Sequence, residues 1–122
     1  DSNQIRNLLG IAKRDLEVAE HLLSVNSDAS FMHSYNAILQ SARALMFSKG
    51  YRPVEDEHKT TIDFIGAVFP NVGYLAILDR MRRKRHVVTY DEANKTSEYE
   101  AKHALKTAKE FLNFAKSKIS IS

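Results

Sequence analysis

Residues 97–119 read SEYEAKHALKTAKEFLNFAKSKI and form the clearest helical pattern in the chain. Ser97 and Glu100 have the spacing of a capping box, in which each side chain accepts a hydrogen bond from the backbone of the other residue. Apolar residues then recur every three or four positions, which places them on one face of a helix. These residues are Ala101, Ala104, Ala108, Phe111, Ala115 and Ile119. The stretch therefore predicts a long amphipathic helix with one buried face.

The same spacing of apolar residues continues through the first half of the chain. It predicts a first helix over residues 3–25 and a second helix that ends at Gly50, where glycine suits a helix end. Asn26 is interpreted as the stop of the first helix, because asparagine tolerates a left-handed backbone, and residues 27–30 supply N-cap candidates for the second. The predicted buried residues are Ile5, Leu8, Ala12, Leu16, Ala19 and Leu23, followed by Phe31, Tyr35, Ile38, Ala42 and Leu45.

A loop and two further helices are predicted in the middle of the chain. Residues 51–57 contain Pro53 and three acidic groups without apolar periodicity, which is typical of a loop. A short helix follows and ends before Pro70, since proline cannot continue the hydrogen-bond ladder of a helix. The next helix starts near Val72, runs through an arginine-rich stretch and ends before a polar break at residues 91–96. The apolar face of the short helix is Ile62, Ile65 and Val68, and the face predicted for the next one is Tyr74, Leu78, Met81, Arg85 and Val88.

Amphipathic helices therefore account for nearly all of the apolar periodicity in the sequence. A length of 122 residues with 43% hydrophobic residues is enough for one domain with its own core. Long amphipathic helices with short connections pack most economically side by side. The predicted fold class is all-α: an antiparallel four-helix bundle with an additional short helix, in a single domain over residues 1–122.

Composition excludes several classes of site. Cysteine is absent, which rules out disulfides and thiolate metal sites and favours a cytoplasmic location. No apolar stretch approaches the roughly 20 residues of a membrane span, and the amino end lacks a signal-peptide pattern, so no membrane association is predicted. Glu100 and His103 form one Glu-x-x-His pair, but a di-iron bundle needs two. His21, His33 and His58 are scattered without the spacing of metal ligands. Neither a metal nor another cofactor is predicted.

Positive charge is concentrated in one short segment. The formal net charge is only +3, yet five of six consecutive residues are cationic. They are Arg80, Arg82, Arg83, Lys84 and Arg85. Like charges on less than two helical turns repel one another, so a polyanion that neutralises them is the natural partner. These residues are predicted to bind nucleic acid. The alternative is a solvated helix face whose charges pair with acids on neighbouring helices.

A histidine follows this basic run directly. Helical geometry places Arg82 and His86 one turn apart on the same face, with Asp79 and Thr89 near the same line. A neutral imidazole there would take a proton from a ribose 2′-hydroxyl while an arginine stabilises the phosphate transition state. That chemistry would be RNA cleavage without a metal. The alternative is an ordinary surface or interface histidine, which spacing alone favours.

Several segments together resemble a known family. They are residues 41–53 (SARALMFSKGYRP), His58 in a polar stretch, residues 82–91 (RRKRHVVTYD), and the capped last helix with alanines at core spacing. In these features the chain resembles the HEPN domains of prokaryotes over nearly its whole length. The resemblance implies a bundle of four or five helices that pairs as a homodimer. It also implies a toxin-antitoxin system, in which such domains are often encoded beside a minimal nucleotidyltransferase, a possible partner protein.

Many proteins of this family are metal-independent ribonucleases, and the resemblance implies RNA as a second possible partner. Their signature is an arginine, often followed by a polar residue, and then a histidine after four to six intervening positions. Two copies of this signature meet across the dimer interface. In one register on this chain, Arg80 pairs with His86 and Arg82 assists, which would make the domain catalytically competent.

In the second register, Arg85 is the signature arginine and His86 is its polar follower. The place of the catalytic histidine then falls on Thr89 or Tyr90. This register matches slightly better, because a non-catalytic branch of the family carries a Tyr-Asp pair where this chain has Tyr90 and Asp91. The histidine-x-tyrosine ending of the active toxins is absent. The second register therefore implies a surface that binds without cutting.

Overall fold

The computed structural model describes residues 2–52 and 57–119, and within these ranges the chain is built from helices with no strand. The helices are α1 (Ser2–Leu22), α2 (Ser27–Ser48), α3 (Glu57–Val68), α4 (Tyr74–His86) and α5 (Glu98–Lys118). The predicted all-α bundle with an additional short helix is confirmed, and α3 with 12 residues is the shortest of the five. Only residues 23–26 separate α1 from α2, so these two helices pack as antiparallel neighbours.

Helix α2 is the central element and contacts each of the other four helices. Every residue predicted for its core is buried: Phe31, Tyr35, Ile38, Ala42 and Leu45. Small buried side chains on α2, such as Ser30, Ser34 and Ala37, allow the neighbouring helices to approach closely. The predicted core faces of α1 and α5 are also confirmed, except that Leu23 and Ile119 are only partly buried.

The amino-terminal end of α5 has the predicted capping box. Ser97 Oγ accepts a hydrogen bond from the backbone N–H of Glu100 at 3.0 Å, and Glu100 Oε1 accepts from the backbone N–H of Ser97 at 3.0 Å. Both bonds satisfy N–H groups that have no partner within the helix. The hydrogen bond from the backbone N–H of Ser97 to the Glu100 carboxylate also keeps the pKa of that carboxyl below its ordinary value, and Lys84 lowers the pKa further.

The connection between α1 and α2 differs from the prediction. Helix α1 ends at Leu22, three residues earlier than predicted. Asn26 has an extended backbone with φ −153°, and its side chain accepts a hydrogen bond from the backbone N–H of Ala29 at 3.0 Å. The interpretation of Asn26 as a left-handed stop is therefore wrong, as is the placing of the N-cap within residues 27–30. Asparagine suits both roles, and here the second helix uses it.

The far end of α2 follows the prediction more closely. Gly50 has φ +85°, a left-handed value that glycine adopts without strain, and it directly follows the C-cap residue Lys49. Glu57 is the first residue of α3 and not the end of a loop. The rest of the predicted loop includes residues 53–56, which lie outside the described ranges.

Helix α4 begins at Tyr74, two residues later than predicted, because Pro70–Val72 form a separate 3-10 turn and Gly73 has φ +71°. The ring of Tyr74 meets the ring of Phe111 edge-on, with 4.9 Å between the ring centres, and so fixes the start of α4 against α5. Leu78 and Met81 are buried as predicted. The contact of Tyr74 with α5 and the burial of Leu78 and Met81 together determine which side chains of α4 face outward.

The helix does not stop at His86 but widens into a π-helical turn over Val87–Asp91. The backbone N–H of Glu92 donates to the carbonyl of Val87 at 2.9 Å, which is the wider hydrogen-bond spacing of a π turn. Thr89 Oγ1 lies 3.5 Å from Met32 Sδ, so this turn rests on α2. Such turns occur frequently at functional sites.

Candidate nucleic-acid interface

The five cations of the basic run differ in whether they pair with a carboxylate. Arg82 and Arg83 share one carboxylate: Arg82 Nη2 lies 3.0 Å from Asp79 Oδ1, and Arg83 Nε lies 3.6 Å from Asp79 Oδ2. Lys84 Nζ lies 3.1 Å from Glu100 Oε2 and donates to the carbonyl of Lys95 at 2.8 Å. These contacts match part of the alternative interpretation, in which the charges pair with local acids.

Two cations of the run have no such partner. Within residues 2–52 and 57–119, neither Arg80 nor Arg85 makes a hydrogen bond or an ion pair. Asp79 and Glu100 are the only carboxylates paired with the run in those ranges, so five cations meet two negative charges. An excess of three positive charges remains on one short helix.

Three of the arginines line a common groove between α3 and α4, here called the α3–α4 groove. Arg80, Arg82 and Arg83 lie along it on α4, and Lys59 lies opposite on α3. The groove has a volume of about 760 Å³, and its other lining residues are Asp63, Gly66, Phe69, Pro70, Gly73, Leu75, Ala76 and Asp79. Cations therefore border a floor that is partly apolar, a combination that accommodates a phosphate backbone beside unpaired bases.

Arg85 lies on a different side of α4. It is partly buried and lines a cleft of about 440 Å³, here called the Arg85 cleft. The other lining residues come from α1, α2 and α3 and are Arg14, Asp15, Met32, His33, Tyr35, Asn36 and His58. The sequence predicted Arg85 on the inner face of α4, and Arg85 does lie on that face. It lines the polar Arg85 cleft there and does not enter the apolar core.

A buried carboxylate forms the base of the Arg85 cleft. Asp15 is only 2% exposed, and Asn36 Nδ2 donates to its Oδ2 at 2.6 Å. His33 Nδ1 lies 3.1 Å from Asp15 Oδ1, and Arg14 Nη2 lies 3.7 Å from the same oxygen. Each of these neighbours offsets the cost of removing the carboxylate from water.

A second imidazole lines the same cleft. The hydroxyl of Tyr35 lies 3.0 Å from His58 Nδ1, and the two rings are nearly parallel, with 5.7 Å between their centres. His33 and His58 appeared scattered in the sequence, but the fold brings both of them to the cleft with Arg85. One signal in the sequence pointed there: Asp15 lies within the apolar face of α1, between Ala12 and Leu16, where a charge needs a partner.

His86 is exposed at the last position of α4, and Tyr90 is 67% exposed in the π-helical turn that follows. Their ring centres lie 4.9 Å apart, so the two rings form one aromatic surface. Arg80 and His86 are six residues apart, so their side chains leave the helix in directions about 120° apart around its axis. The residues of the first register therefore do not meet within one protomer, whereas Arg82 and His86 lie one turn apart.

The described residues, 2–52 and 57–119, contain neither a cluster of metal ligands nor a membrane-spanning helix. No group of three or more histidine, aspartate or glutamate side chains there has the arrangement of a metal site. Within the same two ranges, no helix combines the length and the apolar character needed to cross a bilayer.

Comparison with known proteins identifies the family. No curated protein sequence matches the chain. The HEPN domain family matches residues 5–118, a span that reaches from the first turn of α1 to the last residue of α5. The suspected resemblance is confirmed, and this chain belongs to the HEPN domain family.

Proposed function

We propose that this HEPN domain binds RNA as a homodimer through the α3–α4 groove and the exposed rings that follow it. The observation that carries the proposal is the shared position of Arg80, Arg82 and Arg83 along one groove, on a helix with an excess of three positive charges. An excess of cations that no carboxylate within residues 2–52 and 57–119 neutralises is suited to a row of phosphates.

The aromatic surface at the end of α4 favours single-stranded RNA over a duplex. His86 and Tyr90 are both exposed, and their rings lie within 5 Å of one another. Unpaired bases stack on such rings, whereas the bases of a duplex are already stacked and have no free face. The groove would therefore hold the backbone, and the rings would contact one or two bases beyond it.

A paired substitution tests the groove. Arg82→Gln with Arg83→Gln removes two cations from the α3–α4 groove, and Lys102→Gln with Lys106→Gln removes two exposed cations from α5 as a matched control. We expect the first pair to weaken binding of single-stranded RNA and to reduce the salt slope by about 1.4, since each phosphate contact contributes about 0.7. Fluorescence anisotropy at several salt concentrations measures both quantities. Equal losses from both pairs would refute the groove as the binding surface.

Homodimer formation is part of the proposal, and it decides whether cleavage is feasible. Because Arg80 and His86 diverge within one helix, a cleft that contains both of them needs a second copy of α4. Light scattering at micromolar concentration is expected to give the mass of a dimer. RNA incubated with the dimer without metal would yield 2′,3′-cyclic ends if the first register operates, and His86→Ala would abolish them.

The second candidate function is a non-catalytic module that pairs with a minimal nucleotidyltransferase. The second register favours it, because Thr89 or Tyr90 then stands at the place of the catalytic histidine and no imidazole is left there to take a proton from a ribose 2′-hydroxyl. Co-purification with a nucleotidyltransferase encoded beside this chain tests it. RNA that remains intact together with a stable complex would support this function, and the absence of such a complex would count against it.

A further inference from the structure

A pocket between α4 and α5, here called the α4–α5 pocket, has an apolar floor. Its volume is about 270 Å³, and its apolar lining residues are Phe31 of α2, Ile77 and Met81 of α4, and Ala104 of α5. Phe31, Met81 and Ala104 are buried, and Ile77 is partly buried. A dry cavity of about 150 Å³ holds one benzene molecule. The α4–α5 pocket therefore has room for an aromatic ring with a small polar group beside it.

The rim of this pocket carries an excess of one positive charge. Its charged lining residues are Arg80, Lys84 and Glu100. Lys84 Nζ lies 3.1 Å from Glu100 Oε2, and Glu100 Oε1 accepts a hydrogen bond from the backbone N–H of Ser97, so both oxygens of this carboxylate are engaged. Arg80 makes neither a hydrogen bond nor an ion pair with any residue in 2–52 or 57–119. Its five guanidinium N–H donors are therefore available to a bound anion.

Two side chains of α5 stand at the same rim. Tyr99 is 77% exposed, and His103 follows it one helical turn later on the same face. Among the residues that the structure describes, neither side chain makes a hydrogen bond, an ion pair or a ring contact. Aromatic rings pair favourably with one another and with methionine sulfur. The pocket offers both kinds of partner to an aromatic ligand, since Phe31 and Met81 lie in its floor and Tyr99 lies at its rim.

We propose that the α4–α5 pocket binds an aromatic monocarboxylate, with the ring on the apolar floor and the carboxylate against Arg80. One negative charge matches the excess of one positive charge, and a planar guanidinium pairs with a carboxylate through two parallel hydrogen bonds. A phosphate monoester would bring a second negative charge that the pocket does not balance. Arg80 also borders the α3–α4 groove, but the proposal does not depend on RNA binding there.

Phenylacetate and 2-phenylacetamide have the same ring and differ in charge, so their affinities for the intact chain isolate the contribution of the cation. We expect phenylacetate to bind at least about tenfold more tightly in an NMR titration, and Arg80→Gln to remove most of that difference, because hydrogen bonds between charged groups are the strong ones. Arg83→Gln is the matched control, since it removes the same charge from the same helix outside the pocket. Equal affinities for the two ligands, or equal losses in the two variants, would overturn the proposal.

Two further carboxylates test the apolar floor. Acetate has the charge without the ring and is expected to bind at least about tenfold more weakly than phenylacetate, because it buries little apolar surface. Cyclohexylacetate has the charge and a similar bulk without the aromatic face, and it is also expected to bind more weakly. Acetate that binds as tightly as phenylacetate would reduce the site to a surface charge. Cyclohexylacetate that binds as tightly as phenylacetate would overturn the assignment to aromatic acids.

The exposed ring of Tyr99 provides a variant that leaves the core untouched. Tyr99→Ala should weaken phenylacetate binding and leave the ratio of its affinity to that of 2-phenylacetamide unchanged, because the ring contacts the apolar part that both ligands share. Unchanged phenylacetate affinity in this variant would count against the proposed pose.

The wild-type chain locates the site without any variant. Phenylacetate is expected to shift the backbone amide signals of Ile77, Arg80 and Ala104. Shifts confined to the α3–α4 groove or to the Arg85 cleft would overturn the proposal. None of these measurements involves RNA, so this site and the proposed function fail separately.

Discussion

Two glycines in helices respond in opposite directions to the same substitution. An alanine Cβ at Gly66 in α3 would lie 2.9 Å from Leu75 Cβ and 2.8 Å from Leu75 Cδ2, at the start of α4. An alanine Cβ at Gly10 in α1 would meet nothing within 4 Å. We therefore expect Gly66→Ala to lower the free energy of unfolding and Gly10→Ala to raise it.

The magnitudes follow from two competing effects. Alanine is favoured over glycine within a helix by about 1 kcal/mol, and this gain applies at both positions. Overpacking costs about 1–3 kcal/mol, and it applies only at Gly66, where a contact with Leu75 Cβ cannot be relieved by rotation of that side chain. The net expectation is a loss of about 1 kcal/mol for Gly66→Ala and a gain of about 1 kcal/mol for Gly10→Ala.

Urea unfolding followed by circular dichroism measures both free energies. A second background localises the cause: Gly66→Ala should lose less stability in a Leu75→Gly background than in the wild-type chain, because glycine at position 75 removes the Cβ and both Cδ atoms that lie near the new methyl group. Stabilisation by Gly66→Ala similar to that by Gly10→Ala would refute the packing of α3 against the start of α4. Since that packing orients the basic run, the result would also undermine the α3–α4 groove.

Two further predictions concern the ends of helices. Ser97→Ala removes one half of the capping box and is expected to cost about 1 kcal/mol in the same unfolding assay; no measurable loss would mean that α5 starts elsewhere. Burial alone would raise the pKa of the Asp28 carboxyl, but interactions with the Thr96 hydroxyl and the backbone N–H groups of Asn94 and Thr96 hold it below its ordinary value of 3.8. Because the folded-state pKa is lowered, the stabilisation is complete above the unfolded-state pKa and is lost as the pH falls through the folded-state pKa. Asp28→Asn should therefore weaken the acid dependence of unfolding between about pH 5 and 2, and an unchanged pH profile would contradict this.

Helix positions and core faces were largely predictable, since they depend on spacing along the chain. Phe111 and Ala108 of α5, like Tyr35 and Ile38 of α2, are buried where the period of apolar residues placed them. The error at Asn26 has a local cause, because an asparagine between two helices can end one or begin the other. Only the backbone conformation, with φ −153°, decides between the two roles.

The site was less predictable than the fold, because its residues are distant in sequence. Asp15 and His33 are separated by 18 positions, and their contact depends on the way in which α1 and α2 align. Likewise, Lys84 meets Glu100 only because α4 packs against α5. The basic run itself could be recognised from composition. Its division could not, because Arg80, Arg82 and Arg83 line the α3–α4 groove and Arg85 lines the Arg85 cleft only through the way in which the neighbouring helices pack against α4.

The account depends on a surplus of uncompensated positive charge on α4, and the salt dependence of RNA affinity measures that surplus directly. Among the described residues, the three arginines of the α3–α4 groove are paired with one carboxylate, Asp79, and this net charge of two predicts that log K for single-stranded RNA falls against log salt with a slope of about −1.4 for each protomer. A slope near zero, or an affinity that rises with salt, would contradict it.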